Sequence, residues 1–270
     1  MITDRELITE CRERATGFQY SLTGGSFAMH DPLLTLVVPC YNEATRLDTK
    51  AFLEWVSARP TRHLLFVDDA STDHTAAVLD RLGQQHSRIT VLRLSRNHGK
   101  AGAVRAGVLH EPTSDLVGFW DADLSAPLSE VDRLVDILMS NPDLLCVAGI
   151  RVMRLGARIE RSLIRHVLSR VFVTVASLLL KLRAYDTQCG AKLFRRDVAR
   201  SLFADDFVSP WIFDIELYLR LRTLIPDAEL TGHACEHVLN EWKAVGNSRL
   251  RLRDFVKGAV DLYRVYRRYR

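Results

Sequence analysis

From Leu33 onward, short runs that are apolar throughout alternate with longer stretches whose apolar residues recur at helical spacing. LLTLVVP (33–39), HLLFVD (63–68), ITVLRL (89–94), DLVGFWD (115–121) and LLCVAGI (144–150) predict five strands. The segments between them, 44–58, 73–86, 99–110 and 128–139, predict helices, with Asp73 as the N-cap of the second. Strands that are apolar on both faces are covered on both faces, and strands alternating with helices pair in parallel through crossovers. The expected fold is α/β: a Rossmann-like, mostly parallel central sheet flanked by helices.

After residue 150 the pattern changes. Residues 158–182 predict one long helix, with Ile159, Leu163, Val167, Val171, Val175 and Leu178 on one stripe and Arg158, Arg161 and Arg165 on another. A strand-like segment follows at Gln188–Phe194, then a helix over 212–224, a short strand in 229–239 and a basic amphipathic helix over 251–270. The chain thus divides into an appendage (1–31), one domain (32–250, with halves 32–150 and 151–250) and a basic C-terminal helix.

Composition adds three things. With 270 residues, 47% hydrophobic and 26% charged, the chain is neither a disordered tail nor a fibre nor a coiled coil. Its net charge of +4 hides an asymmetry: residues 1–150 hold 14 Lys+Arg against 20 Asp+Glu, and residues 151–270 hold 23 against 13. An acidic front suits a metal ion and a basic back an anionic ligand. Cys11, Cys40, Cys146, Cys189 and Cys235 form no C-x-x-C pair, which points to a reducing, cytoplasmic setting. The N-terminus lacks the apolar run of a signal peptide, and VFVTVASLLL (171–180) is about half a spanning helix. Any membrane role is therefore expected to be peripheral, at the cytoplasmic face. The 171–180 stripe offers a homodimer contact. Nucleic acid is not an expected partner, since the basic half carries no recognised reader module.

In open α/β sheets ligands sit at the carboxyl ends of strands. Those ends read Pro39-Cys40-Tyr41-Asn42-Glu43, Asp68-Asp69-Ala70-Ser71-Thr72-Asp73 and Asp121-Ala122-Asp123. Three acidic clusters at one edge repel one another unless a cation or ligand donors offset them. Two carboxylates flanking one small residue at a strand end fit a hard divalent cation, Mg²⁺ or Mn²⁺, with positions left for substrate phosphate oxygens. A dinucleotide site is excluded, because no G-x-G-x-x-G occurs. Gly99-Lys100 is not a P-loop either, because Ala101 stands where Ser or Thr is required.

VVPCYNEA, FVDDASTD, LSRNHGKAGAVRAG and FWDADL, in this order, resemble the family 2 glycosyltransferases of GT-A fold. RSLIRHVL (161–168), DTQCGAKLFRR (186–196), PWIFDIEL (210–217) and the Trp242…Ser248-Arg249-Leu250 spacing resemble the dolichyl-phosphate glucosyltransferases and their polyprenyl-phosphate relatives. The resemblance implies a base pocket lined by Pro39, Tyr41 and Glu43, with Asp68 or Asp69 on the uridine and Asn97 and Lys100 near the nucleotide. It implies metal at Asp121 and Asp123, beside Ala122, on the diphosphate of a UDP-sugar.

The implied reaction inverts the anomeric carbon by direct displacement of the nucleoside diphosphate, with glucose the favoured sugar. If the acceptor is a polyprenyl or dolichyl phosphate, its oxygen is already anionic, and cations rather than a strong base are required. Arg151, Arg161 and Arg165 are the candidates, since guanidinium pairs with phosphate. If the acceptor is a soluble hydroxyl, a carboxylate must take its proton, with Asp214 first and Asp186 second. GDP-mannose is an alternative donor. Cys189 has no base beside it in sequence, and packing is the favoured reading. The helix over 251–270 suits either an anionic membrane surface or its own domain.

Overall fold

The apolar runs lie side by side in a computed structural model of the chain, which describes residues 31–110, 113–152, 158–160, 174–176, 179, 184–225, 230, 232–243 and 252–269. The front half gives β1 (Leu34–Cys40), α1 (Thr49–Ser57), β2 (Arg62–Asp68), α2 (Thr75–Gln85), β3 (Ile89–Arg93), α3 (Gly99–His110), β4 (Leu116–Trp120), α4 (Ser129–Ser140) and β5 (Cys146–Ile150). The back half adds β6 (Arg158–Glu160), β7 (Ala191–Arg195), α5 (Arg196–Leu202), α6 (Phe213–Leu224), β8 (Ala234–Val238), β9 (Glu241–Lys243) and α7 (Leu252–Tyr269). Seven strands form one sheet in the order β3-β2-β1-β4-β7-β5-β8. Only β7 runs antiparallel to its neighbours β4 and β5; the remaining pairs are parallel.

Side-chain alternation along each strand feeds two buried layers. Leu36, Val38, Phe66, Trp120, Val147 and Leu193 pack against α1, α2 and α4, with Phe52, Leu79 and Leu134 opposite them. Val37, Val67, Val117, Phe119 and Phe194 face the other way, against α3, α5 and α6. The approach of α3 is close: a Cβ on Gly107 would lie 2.4 Å from Val37 Cγ1 and 2.9 Å from Val67 Cγ2. A third cluster joins α6 to α7 through Ile212, Ile215, Leu219, Leu262 and Val265, with Ala176.

The five front strands and the α/β class agree with the sequence pattern, and three expectations require correction. Residues 44–48 do not join α1: Asp48 Oδ1 accepts from Ala51 N at 3.0 Å and starts the helix at Thr49. Asp73 is not the N-cap of α2; its Oδ1 accepts from Thr75 N at 2.9 Å, one residue before the cap position. Arg158 and Ile159 are not helical but lie in β6, which pairs with β9 in a separate two-stranded parallel sheet. The stripe spacing carries no information about that distant partner. The short elements α5 and β9 give no periodicity long enough to read. The rest of the predicted 158–182 helix, including Arg161 and Arg165, lies largely outside the described residues, as do residues 1–30 and Ser248-Arg249-Leu250.

Candidate active site

Parallel β1, β2, β4 and β5 all end at one sheet edge, and antiparallel β7 begins there. Chain direction therefore brings Asp121, Arg151 and Gly190 to the same edge from three remote stretches of sequence. Trp120 is paired with Ala191, so Asp121 and Gly190 follow side by side. Asp121 N donates to Gly190 O at 3.1 Å. A Cβ on residue 190 would lie 1.9 Å from Asp121 Oδ2, so only glycine leaves room for this carboxylate.

Asp121 is the electrostatic centre. Lys100, in the first turn of α3, places Nζ 2.6 Å from Asp121 Oδ1, with the two side chains 34% and 37% exposed. Burial pushes the Asp121 carboxyl up, but the charge and hydrogen bond of Lys100, with Arg151 and Lys192 beyond, outweigh this and hold it below the usual carboxylate range. Burial likewise lowers Lys100, and Asp121 and Asp214 more than restore it. Gly99, at φ +72, permits the turn that aims α3 at this edge. Asp123 is half-buried, with Oδ1 accepting from Ser125 N at 3.0 Å, and Ala122 between the two carboxylates is buried. Leu124 at φ +50, with its N–H on Asp121 O, closes this turn.

The nucleotide-side candidates are built into two interlocked loops. Asp68 and Asp69 are buried at 4% and 2% exposure. Asp68 Oδ1 accepts from Ser71 N at 3.0 Å, and Asp69 Oδ1 from His98 N at 2.7 Å. Burial raises the Asp69 carboxyl, only partly countered by the His98 and Gly99 N–H groups. Asn97 bridges the same loops, donating to Asp69 O at 3.2 Å and accepting from Gly99 N at 3.2 Å. Pro39 lies within β1, Tyr41 just beyond it is 38% exposed, and Glu43 forms an ion pair with Arg46.

The opposite wall is made of ion pairs. Arg151 grips Asp186 bidentately, Nε to Oδ2 at 2.6 Å and an Nη to Oδ1 at 2.7 Å, with Trp242 5.4 Å from the guanidinium carbon. Burial pushes the Asp186 carboxyl up, but the Arg151 hydrogen bonds and charge hold it below its ordinary value. Glu236 takes the N–H groups of Tyr185 and Asp186 at 2.8–3.0 Å and fixes this turn. Behind it, buried Lys192 donates to Thr187 O at 2.9 Å, Cys189 O at 2.6 Å and Asp214 Oδ1 at 2.5 Å. Asp214 is thus 3% exposed and held by an ammonium beneath the cleft rather than lining its opening. The Cys189 thiol is pushed up to about 11 by burial, which keeps it protonated near neutral pH.

Gly190 and Lys192 were not among the sequence candidates. Lys192 had a readable signal, a lone charge inside the apolar strand AKLF; Gly190 had none, since its role depends on β7 lying beside β4.

Comparison with known proteins settles the class. Residues 35–203 match the sequence profile described as Glycosyl transferase family 2. The chain belongs to that family. A dolichyl-phosphate beta-glucosyltransferase of Trichomonas vaginalis is 30% identical over 251 residues, covering 88% of this chain and 72% of the relative. One from Dictyostelium discoideum is 32% identical over 252 residues, covering 87% and 74%. Among solved structures, this family 2 glycosyltransferase superposes on glucosyl-3-phosphoglycerate synthase from Mycobacterium tuberculosis, solved with Mn²⁺ and UDP-glucose, at TM-score 0.64 and 18% identity. That match covers 97% of this chain and 83% of the other. It also superposes on the Pyrobaculum calidifontis mannosyltransferase solved with GDP-mannose and Mn²⁺, at TM-score 0.56 and 18% identity, covering 91% and 65%. The fold is of the GT-A kind, and the protein is an enzyme that transfers glycosyl groups.

The carboxylates also pass a test for a divalent cation. No group of three or more His, Cys, Asp or Glu converges among the described residues. Mg²⁺ and Mn²⁺ are commonly held by one or two carboxylates and completed by substrate phosphates. The glycine-backed Asp121 and half-buried Asp123 supply such a pair.

Proposed function

We propose that this family 2 glycosyltransferase moves a hexose, glucose by preference, from a UDP-sugar to a polyprenyl or dolichyl phosphate with inversion, using Mg²⁺ or Mn²⁺. The observation that carries the reading is the convergence of the Asp121-Ala122-Asp123 turn, Lys100 and Arg151 at one sheet edge. It is supported by the names of the relatives, which are dolichyl-phosphate glucosyltransferases, and by the Mn²⁺ and UDP-glucose in the glucosyl-3-phosphoglycerate synthase structure.

In this reading Pro39, Tyr41 and Glu43 receive the base, while Asp68, Asp69 and Asn97 shape the floor beneath the uridine. Asp121 and Asp123 hold the cation, which when bound supplies positive charge to the departing diphosphate. Lys100 stands 2.6 Å from Asp121 and adds a fixed positive charge on the same side. Arg151, whose orientation Asp186 fixes, presents cationic character to the acceptor phosphate, and Arg161 and Arg165 complete that proposal from outside the described residues. An anionic acceptor oxygen needs alignment and no base. This agrees with Asp214 being bonded to Lys192, since a carboxylate already accepting from an ammonium is a poor proton acceptor.

The test is a donor screen with UDP-glucose and GDP-mannose, with Mn²⁺ or Mg²⁺, with and without a short polyprenyl phosphate. The expected result is UDP release and lipid-linked glucose that require both cation and lipid phosphate. Transfer that proceeds only onto a hydroxyl acceptor overturns the acceptor assignment, and transfer from GDP-mannose alone overturns the donor.

A further inference from the structure

α7 is amphipathic on two opposite sides. At 100° per residue, Gly258, Asp261, Leu262 and Val265 fall on one side and are buried against the domain. Gly258 is needed there, since a Cβ would lie 2.2 Å from Trp211 Cζ3. Asp261 Oδ2 accepts from Ser209 Oγ at 2.8 Å, and Tyr269 Oη donates to the buried Glu216 at 2.9 Å. These contacts lock α7 onto α6, whose first turn carries Asp214 of the cleft wall.

The other side faces outward. Val260 and Tyr263 are 48% and 58% exposed, with Lys257, Arg264, Arg267 and Arg268 exposed around them. From 257 to 269 the sole acidic residue is Asp261, buried and bonded to Ser209 and Arg264, so the outer face presents cations with no carboxylate among them. Val175 and Leu179 are 44% and 47% exposed on the segment whose Ala176 is buried with Leu262 and Val265. This layer thus holds four of the eight large apolar side chains exposed among the described residues.

We propose that this outer surface of α7, with the adjoining Val175 and Leu179, docks on an anionic lipid bilayer. Apolar side chains and a tyrosine ringed by Lys and Arg match the boundary between headgroups and acyl chains. Other partners fit less well. A nucleic acid would use the cations but gains nothing from Val260, Val175 and Leu179. A second copy placed face to face would set the same cations against one another. The surface rests on these residues alone, and the lipid-phosphate acceptor of the proposed function gives it a purpose, since docking brings the enzyme to the bilayer that holds such an acceptor. No helix of the described residues is long and apolar enough to cross a membrane.

The experiment is co-sedimentation of the full chain with vesicles of phosphatidylcholine alone or mixed with phosphatidylglycerol, at low and high salt. Binding is expected to the anionic vesicles only and to weaken with salt. The double variant Arg267→Gln/Arg268→Gln is expected to lower the partition coefficient by roughly 30-fold, and Val260→Ser/Tyr263→Ser by roughly tenfold. All four positions point outward, so the thermal midpoint stays that of the parent, and so does transfer to a short, water-soluble polyprenyl phosphate. Absence of binding by the parent, unchanged binding by both variants, or a salt-insensitive dimer abolished by the same variants overturns the surface. A protein that binds vesicles yet glycosylates only non-phosphate acceptors overturns the acceptor reading and leaves the surface standing.

Discussion

The front and back walls of the cleft hold their carboxylates in opposite ways. At the front, Asp68 and Asp69 accept from the backbone N–H groups of Ser71 and His98, so their charge shapes loops. At the back, Asp186 and Asp214 accept from Arg151 and Lys192, so their charge is neutralised by side chains brought from elsewhere. Between the walls, Asp121 is 37% exposed with Lys100 at its edge, and Asp123 is half-buried. The same functional group therefore has three roles, decided by exposure and by partner. A backbone partner builds a loop, a buried cation builds a wall, and a part-exposed position leaves a carboxylate open to a ligand. Acidic residues at strand ends are not interchangeable candidates, although they look so in sequence.

The sharpest way to break this comparison is at its centre. Asp123→Ala is expected to lower kcat/KM on the order of 10³-fold, with Mn²⁺–UDP affinity falling in parallel by calorimetry; a variant retaining both would remove the distinction between open and walled carboxylates. Gly190→Ala drives a methyl group into Asp121 and is expected to reduce Mn²⁺–UDP binding and transfer by roughly 10²-fold, while leaving Asp68 and Asp69 untouched.

The back wall gives the next effects. Lys192→Met strands Asp214 in the interior and is expected to destabilise the fold by about 3 kcal/mol, read from urea melts. Lys192→Met/Asp214→Leu should recover most of that loss, because no lone charge remains buried. Asp214→Asn, which keeps shape and loses charge, is expected to lower kcat by less than about tenfold with an unchanged pH–rate profile. Loss of the acidic limb of the pH–rate profile in this variant would make Asp214 a proton acceptor after all.

The smallest effect is acid stability. Asp121 and Asp186 are held below the ordinary carboxylate value of about 3.9. The unfolded chain therefore takes up these protons first as pH falls. The stability contributed by the two pairs is full above about pH 4 to 5 and is lost at lower pH, through the depressed folded values. The urea midpoint should hold steady down to about pH 5 and decline below pH 4, with a shallower decline in Asp186→Asn.

Much of the front half was legible, because each buried strand carries its signature locally: an apolar run closed by a polar turn. The Asp121-Ala122-Asp123 turn was readable for the same reason, since its strand and its carboxylates are contiguous. The back half was not, because its elements draw meaning from distant partners. Arg158 to Glu160 resembles the start of a helix until β9 pairs with it. Over 251–270 the pattern predicts an amphipathic helix without saying which side packs, and the structure turns Leu262 and Val265 inward and Val260 and Tyr263 outward.

By itself the sequence determined the α/β class, the five front strands, the family resemblance and the acidic turn, all of which are encoded in runs of a few residues. Tertiary structure alone decided which charges stay open. β7 runs antiparallel between β4 and β5, and this brings Gly190 beneath Asp121 and Lys192 against Asp214. A carboxylate's availability depends on the nearest cation, and no local pattern reports a neighbour that lies far away along the chain.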